Sequence, residues 1–384
     1  MERVKESYLN DVLEGMMIPT ETLMAKVIDL SDQKNEGTIG FEQRARGFYA
    51  EPLLDIPSEE FIKMMIVDGC FLVQLFRKCN DPTLRDIEDP VFNMDCMFHF
   101  LCHDLLLLEN QLPWFVLESL YSLILGNGCS HQPSLAFVIL EAFITLPSLK
   151  RSCNSYKQHL SSCHGNNVDD VLHILDLVRS SIVIPSKVKA RKENKVHEAM
   201  FDPEIHEMHT VTALSKAGIK FKGVKSESMM DIQFKNGVFT FPQLYIGTLA
   251  DSLFRNLIAF EQCYNGYSNE ITSYAILMDN LISSKEDMEL LCKAKVIGNW
   301  LSEEDGCKFF NNLYKGIPHN KFYYVHLCKQ VNEHYRIRWH KYLASLKIEK
   351  FSNPWKIIAF FVAIVLLGLS IWTSTNNIRT FMQK

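Results

Sequence analysis

The sequence predicts a mainly α fold, a helical globular body with a small β-hairpin element, followed by one C-terminal transmembrane helix. Three observations predict it. Apolar residues recur at three- and four-residue spacing through most of the chain, the period of an amphipathic helix. The pair Asn236-Gly237 lies between two short runs rich in β-forming residues, which is the strongest short-range hairpin signal. Residues Ile357 to Thr373 carry no charge at all.

From Met1 to about Leu30 the spacing is helical, with Val4, Tyr8, Val12 and Met16 on one face; a polar loop follows from Asp32 to Gly40. A long helix is expected to start near Ser58 as N-cap, with Glu59 and Glu60 in its first turn to meet the helix dipole. Its apolar stripe is Phe61, Met64, Met65, Leu72, Leu75 and Phe76. Asp68 falls on the same stripe, so its carboxylate must be paired or hydrogen-bonded, and Gly69 beside it permits close approach of another helix.

Met94 to Leu125 is the most apolar stretch before the C-terminal segment. Glu109, Asn110, Gln111 and Pro113 interrupt it, and Pro113 removes a backbone donor. Two buried helices meeting at a polar corner are expected, with a loop from Gly126 to Pro133. Another amphipathic helix is expected over Val168 to Ile184. Pro185 to His209 reads as a linker crowded with Lys187, Lys189, Arg191, Lys192 and Lys195, either a solvated loop or a contact for anionic lipid.

Strands are expected at Met230 to Phe234 and Val238 to Ile246, with Pro242 marking an edge strand. Helices return at Ala250 to Tyr264, Ser273 to Ser283 and Lys285 to Leu291. Lys321 to Lys350 reads as one long helix with Tyr324, Cys328, Val331, Tyr335, Trp339, Tyr342 and Leu346 on one face. The organisation is therefore residues 1–184 as the helical first part of the body, 185–210 as a basic linker, 211–350 as a second part, 357–373 as the membrane helix and 374–384 as a short tail.

The membrane segment has Trp355 and Trp372 near its two ends, where amphipathic rings favour the interface, and Pro354 breaks the chain before it. Its 17 uncharged residues are at the short end of the spanning range. Lys341, Lys347, Lys350 and Lys356 precede it, while only Arg379 and Lys384 follow. The positive-inside rule then places the body in the cytosol, with membrane lipid as a partner through the C-terminal helix. The N-terminus has no unbroken apolar stretch to act as a signal peptide.

Composition agrees with a packed body. Hydrophobic residues make up 47% and charged residues 22% of the 384 residues, which argues against global disorder. A net charge of only −5 argues against a dedicated nucleic-acid binder. The 11 cysteines are odd in number, and Cys70, Cys96, Cys102, Cys263 and Cys328 sit among apolar residues, so free buried thiols are expected rather than a disulfide framework. None of the 23 asparagines lies in an Asn-x-Ser/Thr acceptor site, in keeping with a cytosolic body.

No phosphate-binding loop, dinucleotide fingerprint, nucleophile elbow or zincin motif occurs. Three His/Cys groups have metal-like composition: Cys96, His99, Cys102 and His103 on an apolar helix; Cys153, His159, Cys163 and His164 in a polar, loop-like stretch; and His197, His206 and His209 with Glu198 and Glu207 at the end of the linker. None has the two separated ligand pairs of a structural zinc site, so no metal or cofactor is predicted. Cys129 and His131 are a thiol and a base close in sequence, which does not make a catalytic pair.

Six segments resemble one family. They are MMIVDGCFLVQLFR from Met64, DLLLLENQLPWFVLESL from Asp104, ALSKAGIKFK from Ala213, IQFKNGVFTFPQLYI from Ile232, RNLIAFEQC from Arg255 (with Glu261) and NPWKIIAFFVAIVLL from Asn353. In this order they are similar to the plant proteins of domain of unknown function 247. The resemblance implies a plant protein with a single C-terminal membrane helix and no established enzymatic activity; some relatives are associated with self-incompatibility. Such proteins usually begin with a further His-rich block, upstream of where Met1 stands here, so a truncated, non-functional paralogue is one alternative. The leading expectation is a membrane-anchored recognition or interaction protein with a protein partner, not an enzyme and not a nucleic-acid binder. An enzyme with an unrecognised site, built on buried Asp68 and Glu109, is the other alternative.

Overall fold

The computed structural model describes residues 1–34, 39–51, 53–94, 96–126, 133–162, 171–192, 199–200, 208–246, 250–264, 266–299, 302–313, 315, 321–337, 358 and 362–374. The apolar stripes become helices from the start. Helix α1 (Glu2–Met16) buries Tyr8, Leu9 and Val12 and ends where Met17 adopts a left-handed φ of 54°. Pro19 then precedes α2 (Thr20–Lys34), so the first helical stretch is two helices. A short α3 (Phe41–Arg46) leads to α4 (Ser58–Asn80), which has Glu59 and Glu60 in its first turn and Arg77 and Lys78 in its last, both matched to the helix dipole. Ser58 is the first residue of α4 rather than its cap. Pro57 holds the cap position, and the Ser58 hydroxyl donates to Glu42 instead.

The apolar stretch after residue 94 divides as its prolines and polar residues require. Helix α5 (Met97–Asp104), a 3₁₀ turn at Leu108–Asn110 and α6 (Trp114–Leu125) follow one another, with Pro113 at the N-cap of α6. Helices α7 (Leu135–Phe143), α8 (Lys150–Ser162) and α9 (Ile174–Lys192) complete the first part. Helix α4 is its centre and packs on α1, α6 and α7, while α8 packs on α9.

Helix α9 departs from expectation. It starts six residues later than the sequence suggests and runs through Pro185 to Lys192, so Pro185 does not open a linker. A proline inside a helix removes one N–H and disturbs the turn before it. Here the Ser228 hydroxyl donates to the Ile182 carbonyl at 2.7 Å and supplies a bond to that turn.

The second part mixes short strands with helices. Strands β1 (Ala199–Met200), β2 (Lys220–Val224), β3 (Gln233–Lys235), β4 (Val238–Pro242), β5 (Leu244–Ile246), β6 (Ile297–Asn299) and β7 (Lys321–Phe322) form three small sheets. Strands β3 and β4 are the expected hairpin. Asn236 (φ 51°) and Gly237 (φ 74°) occupy the two positive-φ positions of a type I′ turn. Strand β4 is nevertheless central, because β2 pairs with it in parallel along its other side. Pro242 is tolerated there because β3 reaches only as far as Thr240. The expected second strand also splits after Pro242: β5 leaves to pair in parallel with β6.

Helices α10 (Val211–Lys216), α11 (Ala250–Cys263), α12 (Glu270–Leu281), α13 (Lys285–Lys293), α14 (Glu303–Asn312) and α15 (Val325–Arg336) surround these sheets. The long helix expected from Lys321 is shorter: the strand β7 comes first, and α15 ends at Arg336, where Ile337 is extended. Tyr324, Cys328 and Val331 are buried as its stripe requires, while Trp339, Tyr342 and Leu346 lie outside the described residues. Buried apolar side chains from Tyr8 to Val331 form one cluster across both parts.

No helix among the described residues is long and apolar enough to cross a membrane. Of the expected span, Ile357, with Pro354 and Trp355 before it, lies outside the described residues; 362–374 is helical. This run carries exposed Val362, Ile364, Val365, Leu366, Leu367, Leu369, Ile371 and Trp372, and Thr373 donates to the Leu369 carbonyl at 3.0 Å.

Candidate functional site

The residues singled out in the sequence do not converge on one site. Asp68 is half-buried and forms an ion pair with Lys5 at 2.7 Å, which fulfils the expectation of a partner. Gly69 faces α6 so closely that a Cβ would sit 2.3 Å from Leu120 Cδ1. Glu109 and Asn110 are exposed, not buried. They belong to the 3₁₀ turn, where the chain reverses and its polar groups reach water. An enzymatic site built on two buried carboxylates at 68 and 109 is therefore absent.

Gln111 and Glu261 acquire roles that sequence spacing alone did not show. Gln111 is buried; its Nε2 donates to the Leu105 and Leu107 carbonyls at 2.9 and 2.7 Å, and its Oε1 accepts the Leu175 N–H at 3.0 Å. His173 Nδ1 accepts the Asp176 N–H at 3.1 Å. Two orphan donors at the start of α9 are thus satisfied, one of them from over 60 residues away.

One turn further along α9, Arg179 donates to Glu261 Oε1 from Nε and Nη2 (3.1 and 2.9 Å) and to Glu270 at 2.7 Å. Glu261 in turn accepts the N–H groups of Ile271 and Thr272 at the start of α12. Burial pushes the Glu261 carboxyl upward in pKa, and Arg179 and the two N–H groups oppose that shift. Asp176 is likewise raised by burial, although Leu172 N–H and Tyr267 hydroxyl both donate to it. These groups are sealed in the interior and tie α9, α11 and α12 together.

Three buried thiols are inert for the same reason. Burial pushes Cys70, Cys153 and Cys328 up to about 12, far from the thiolate range. Cys96 and Cys263 are exposed, contrary to the expectation of burial, because each lies at the outer end of a helix. Cys153 and His159 lie on α8 and not in a loop, whereas Cys163, His164, Cys129, His131, His197, Glu198, His206 and Glu207 fall outside the described residues. The His209 ring lies 3.9 Å from the Tyr335 ring, tilted by 32°. Among the described residues no three His, Cys, Asp or Glu side chains are grouped to hold a metal ion.

A solvent-facing site does exist, and it was missed in the sequence. A polar cleft of about 600 Å³ opens between α8, the Pro185 turn of α9 and the loop after β2. Arg151, Asn154, Ser155 and Gln158 line one wall, at the i, i+3, i+4, i+7 spacing of a single helix face. Cys153 and Tyr156 on the other face of α8 are buried and fix its orientation. Lys225, Ser226, Glu227, Ser228 and Asp231 form the opposite wall. Ser228 anchors this loop by donating to Ile182 and accepting the Met230 N–H at 3.1 Å.

The charges in the cleft are unequally engaged. Asp231 accepts from Ser226 and Gln233 at 3.1 and 2.8 Å, and Glu227 accepts from Ser155 at 3.4 Å. Arg151 Nη2 donates to Gln243 at 3.2 Å, but its Nη1 is buried with no hydrogen-bond partner. The volume lies in the range of small-molecule sites. The signal that could have found it is the polar 151/154/155/158 face on a helix otherwise read as a loop.

A family model described as a plant protein of unknown function, DUF247, matches residues 1–369. The chain is also similar to a UPF0481 protein of Arabidopsis thaliana, 26% identical over 367 residues that cover 90% of this chain and 74% of the relative. A putative UPF0481 protein of the same plant is 27% identical over 164 residues, 42% of this chain and 31% of that protein. No solved structure matches.

Proposed function

We propose that this chain, which belongs to the DUF247 family of plant proteins of unknown function, is a membrane-anchored recognition protein and not an enzyme. The single observation that carries the anchor is the helical run 362–374. It is apolar on every side from Val362 to Leu369 and exposed throughout, with Ile364 48% and Trp372 66% exposed, while the body folds its own apolar residues into a core. A helix that is hydrophobic all round needs an apolar surrounding. The described run alone is about 20 Å long, short of the roughly 30 Å hydrocarbon layer. The uncharged sequence from Ile357 lengthens it toward a span. The lysines before the segment orient the body toward the cytosol.

Recognition is the reading for the body because its solvent-facing cleft offers hydrogen-bonding and charged groups, whereas its buried carboxylates are locked in structural pairs. A role like the self-incompatibility of some relatives would be one form of such recognition. The test is carbonate extraction of membranes carrying the full chain, with protease protection of tags at both ends. The chain is expected to stay in the pellet, with its N-terminal tag digested on the cytosolic side and its C-terminal tag shielded. Release of the full chain by carbonate would overturn the anchor, and a shielded N-terminal tag would reverse the orientation.

A further inference from the structure

We propose that the polar cleft beside α8 binds a small hydroxyl-rich ligand carrying one oxyanion, a carboxylate or a phosphate monoester, and that Arg151 holds that oxyanion. The inference deepens the recognition reading and rests on it, since recognition requires a ligand; it does not depend on the membrane anchor.

The argument begins from Arg151 Nη1. A buried cationic donor without a partner has lost its water and gained nothing, which is costly. Elsewhere the chain avoids this. Arg179 is met by Glu261 and Glu270, and the buried Lys78 by Asp11 and Asp89 at 2.8 and 3.1 Å. Among the described residues, Arg151 Nη1 is the one buried Lys or Arg nitrogen left unsatisfied. The carboxylates nearest in the cleft do not serve it, being held by Ser155, Ser226 and Gln233. Its guanidinium lines the cleft on a long stem, and a turn about that stem presents Nη1 and Nη2 to an oxyanion together, the fork geometry that arginine offers carboxylates and phosphates.

The remaining lining sets the rest of the ligand. Asn154, Ser155, Gln158 and Ser186 supply amide and hydroxyl groups suited to ligand hydroxyls. Two cations, Arg151 and Lys225, face two carboxylates, Glu227 and Asp231. That balance suits a ligand of low charge and repels a polyphosphate. Of the described lining side chains only that of Pro185 is wholly apolar, which disfavours lipid or aromatic ligands.

The experiment is isothermal titration of the detergent-solubilised full chain with glucuronate, glucose 6-phosphate, glucose and ATP. Saturable binding of glucuronate or glucose 6-phosphate is expected, with glucose and ATP at least tenfold weaker. Whichever of the two anions binds more tightly distinguishes a carboxylate from a phosphate source. Arg151→Gln is expected to weaken binding at least tenfold with little change in thermal stability, because it gives up one hydrogen bond to Gln243 and a distant contact with the Tyr245 ring while removing a buried donor that has no partner. Lys225→Gln, at an exposed position, is expected to weaken binding by a smaller factor. The proposal is overturned if neither anion binds, if glucose binds as tightly as the anions, or if Arg151→Gln binds unchanged. Failure here with the chain still resistant to carbonate would sink the cleft and leave the anchor standing; the reverse pair of results would do the opposite.

Discussion

Gln111 satisfies three backbone groups with one side chain, two carbonyls of the chain leading into the 3₁₀ turn and one N–H of α9. Replacing it with leucine keeps the bulk, strands the Leu175 N–H, removes the side-chain donor from the Leu105 carbonyl and leaves the Leu107 carbonyl with the Asn110 N–H alone. Gln111→Leu is expected to lower stability by at least about 2 kcal/mol, read as a fall in the urea midpoint at unchanged slope. Gly69 is a second position where one atom decides. The Cβ of Gly69→Ala would meet Leu120, which is fully buried and has little room to move. Overpacking costs about 1–3 kcal/mol, against about 1 kcal/mol regained in helix propensity. A net loss is expected in the native background and a gain in a Leu120→Ala background, and a double-mutant cycle measures both. At this scale the sequence was a partial guide. Gly69 could be read because a glycine beside an apolar stripe points to close packing. Glu109 was misread as buried because an apolar neighbourhood in sequence says nothing of a turn's outward face.

Helices α9, α11 and α12 meet at Arg179, Glu261 and Glu270, and Glu261 also caps α12. Removing one partner of a buried network leaves a charge without its counterpart. Glu261→Ala is expected to cost about 3–5 kcal/mol, seen as a large drop in melting temperature, whereas Glu261→Gln keeps one acceptor oxygen and costs less. Element types were largely legible from the 3.6-residue period and from Asn236-Gly237, because both are local. Element ends were not. Pro185 reads as a terminator, yet α9 continues past it while Ser228, 43 positions away, bonds the loosened turn. Lys321 reads as helical, yet its residue pairs with Met200 in a strand.

The whole molecule responds to acid through two buried histidines, His103 and His173, of which His173 is the deeper. Burial pulls His173 from its usual value to about 4. The folded state therefore holds His173 neutral, while the unfolded chain takes up a proton below about 6.5. The His173 contribution is fully present above pH 6.5 and is lost as pH falls toward 4, at about 1.4 kcal/mol per unit in this window. Asp176 beside it, raised by burial, acts in the opposite sense as pH falls. Comparison with His173→Asn, which retains a helix-capping acceptor and does not titrate, isolates the histidine. The variant is expected to lose less stability between pH 7 and 4.5 in denaturant titrations, and equal losses would count against the assignment.

By itself the sequence determined the helical character of the body, the hairpin, the break at Pro113 and the family, because each is carried by contiguous residues whose period, turn geometry or order is local. Only the tertiary structure decided that β4 is a central strand, that Asp68 pairs with Lys5 while Glu109 faces water, and that Arg151 shares a cleft with a loop more than 70 positions later. Those outcomes depend on which distant groups meet, and burial and hydrogen-bond satisfaction settle that for the chain as a whole.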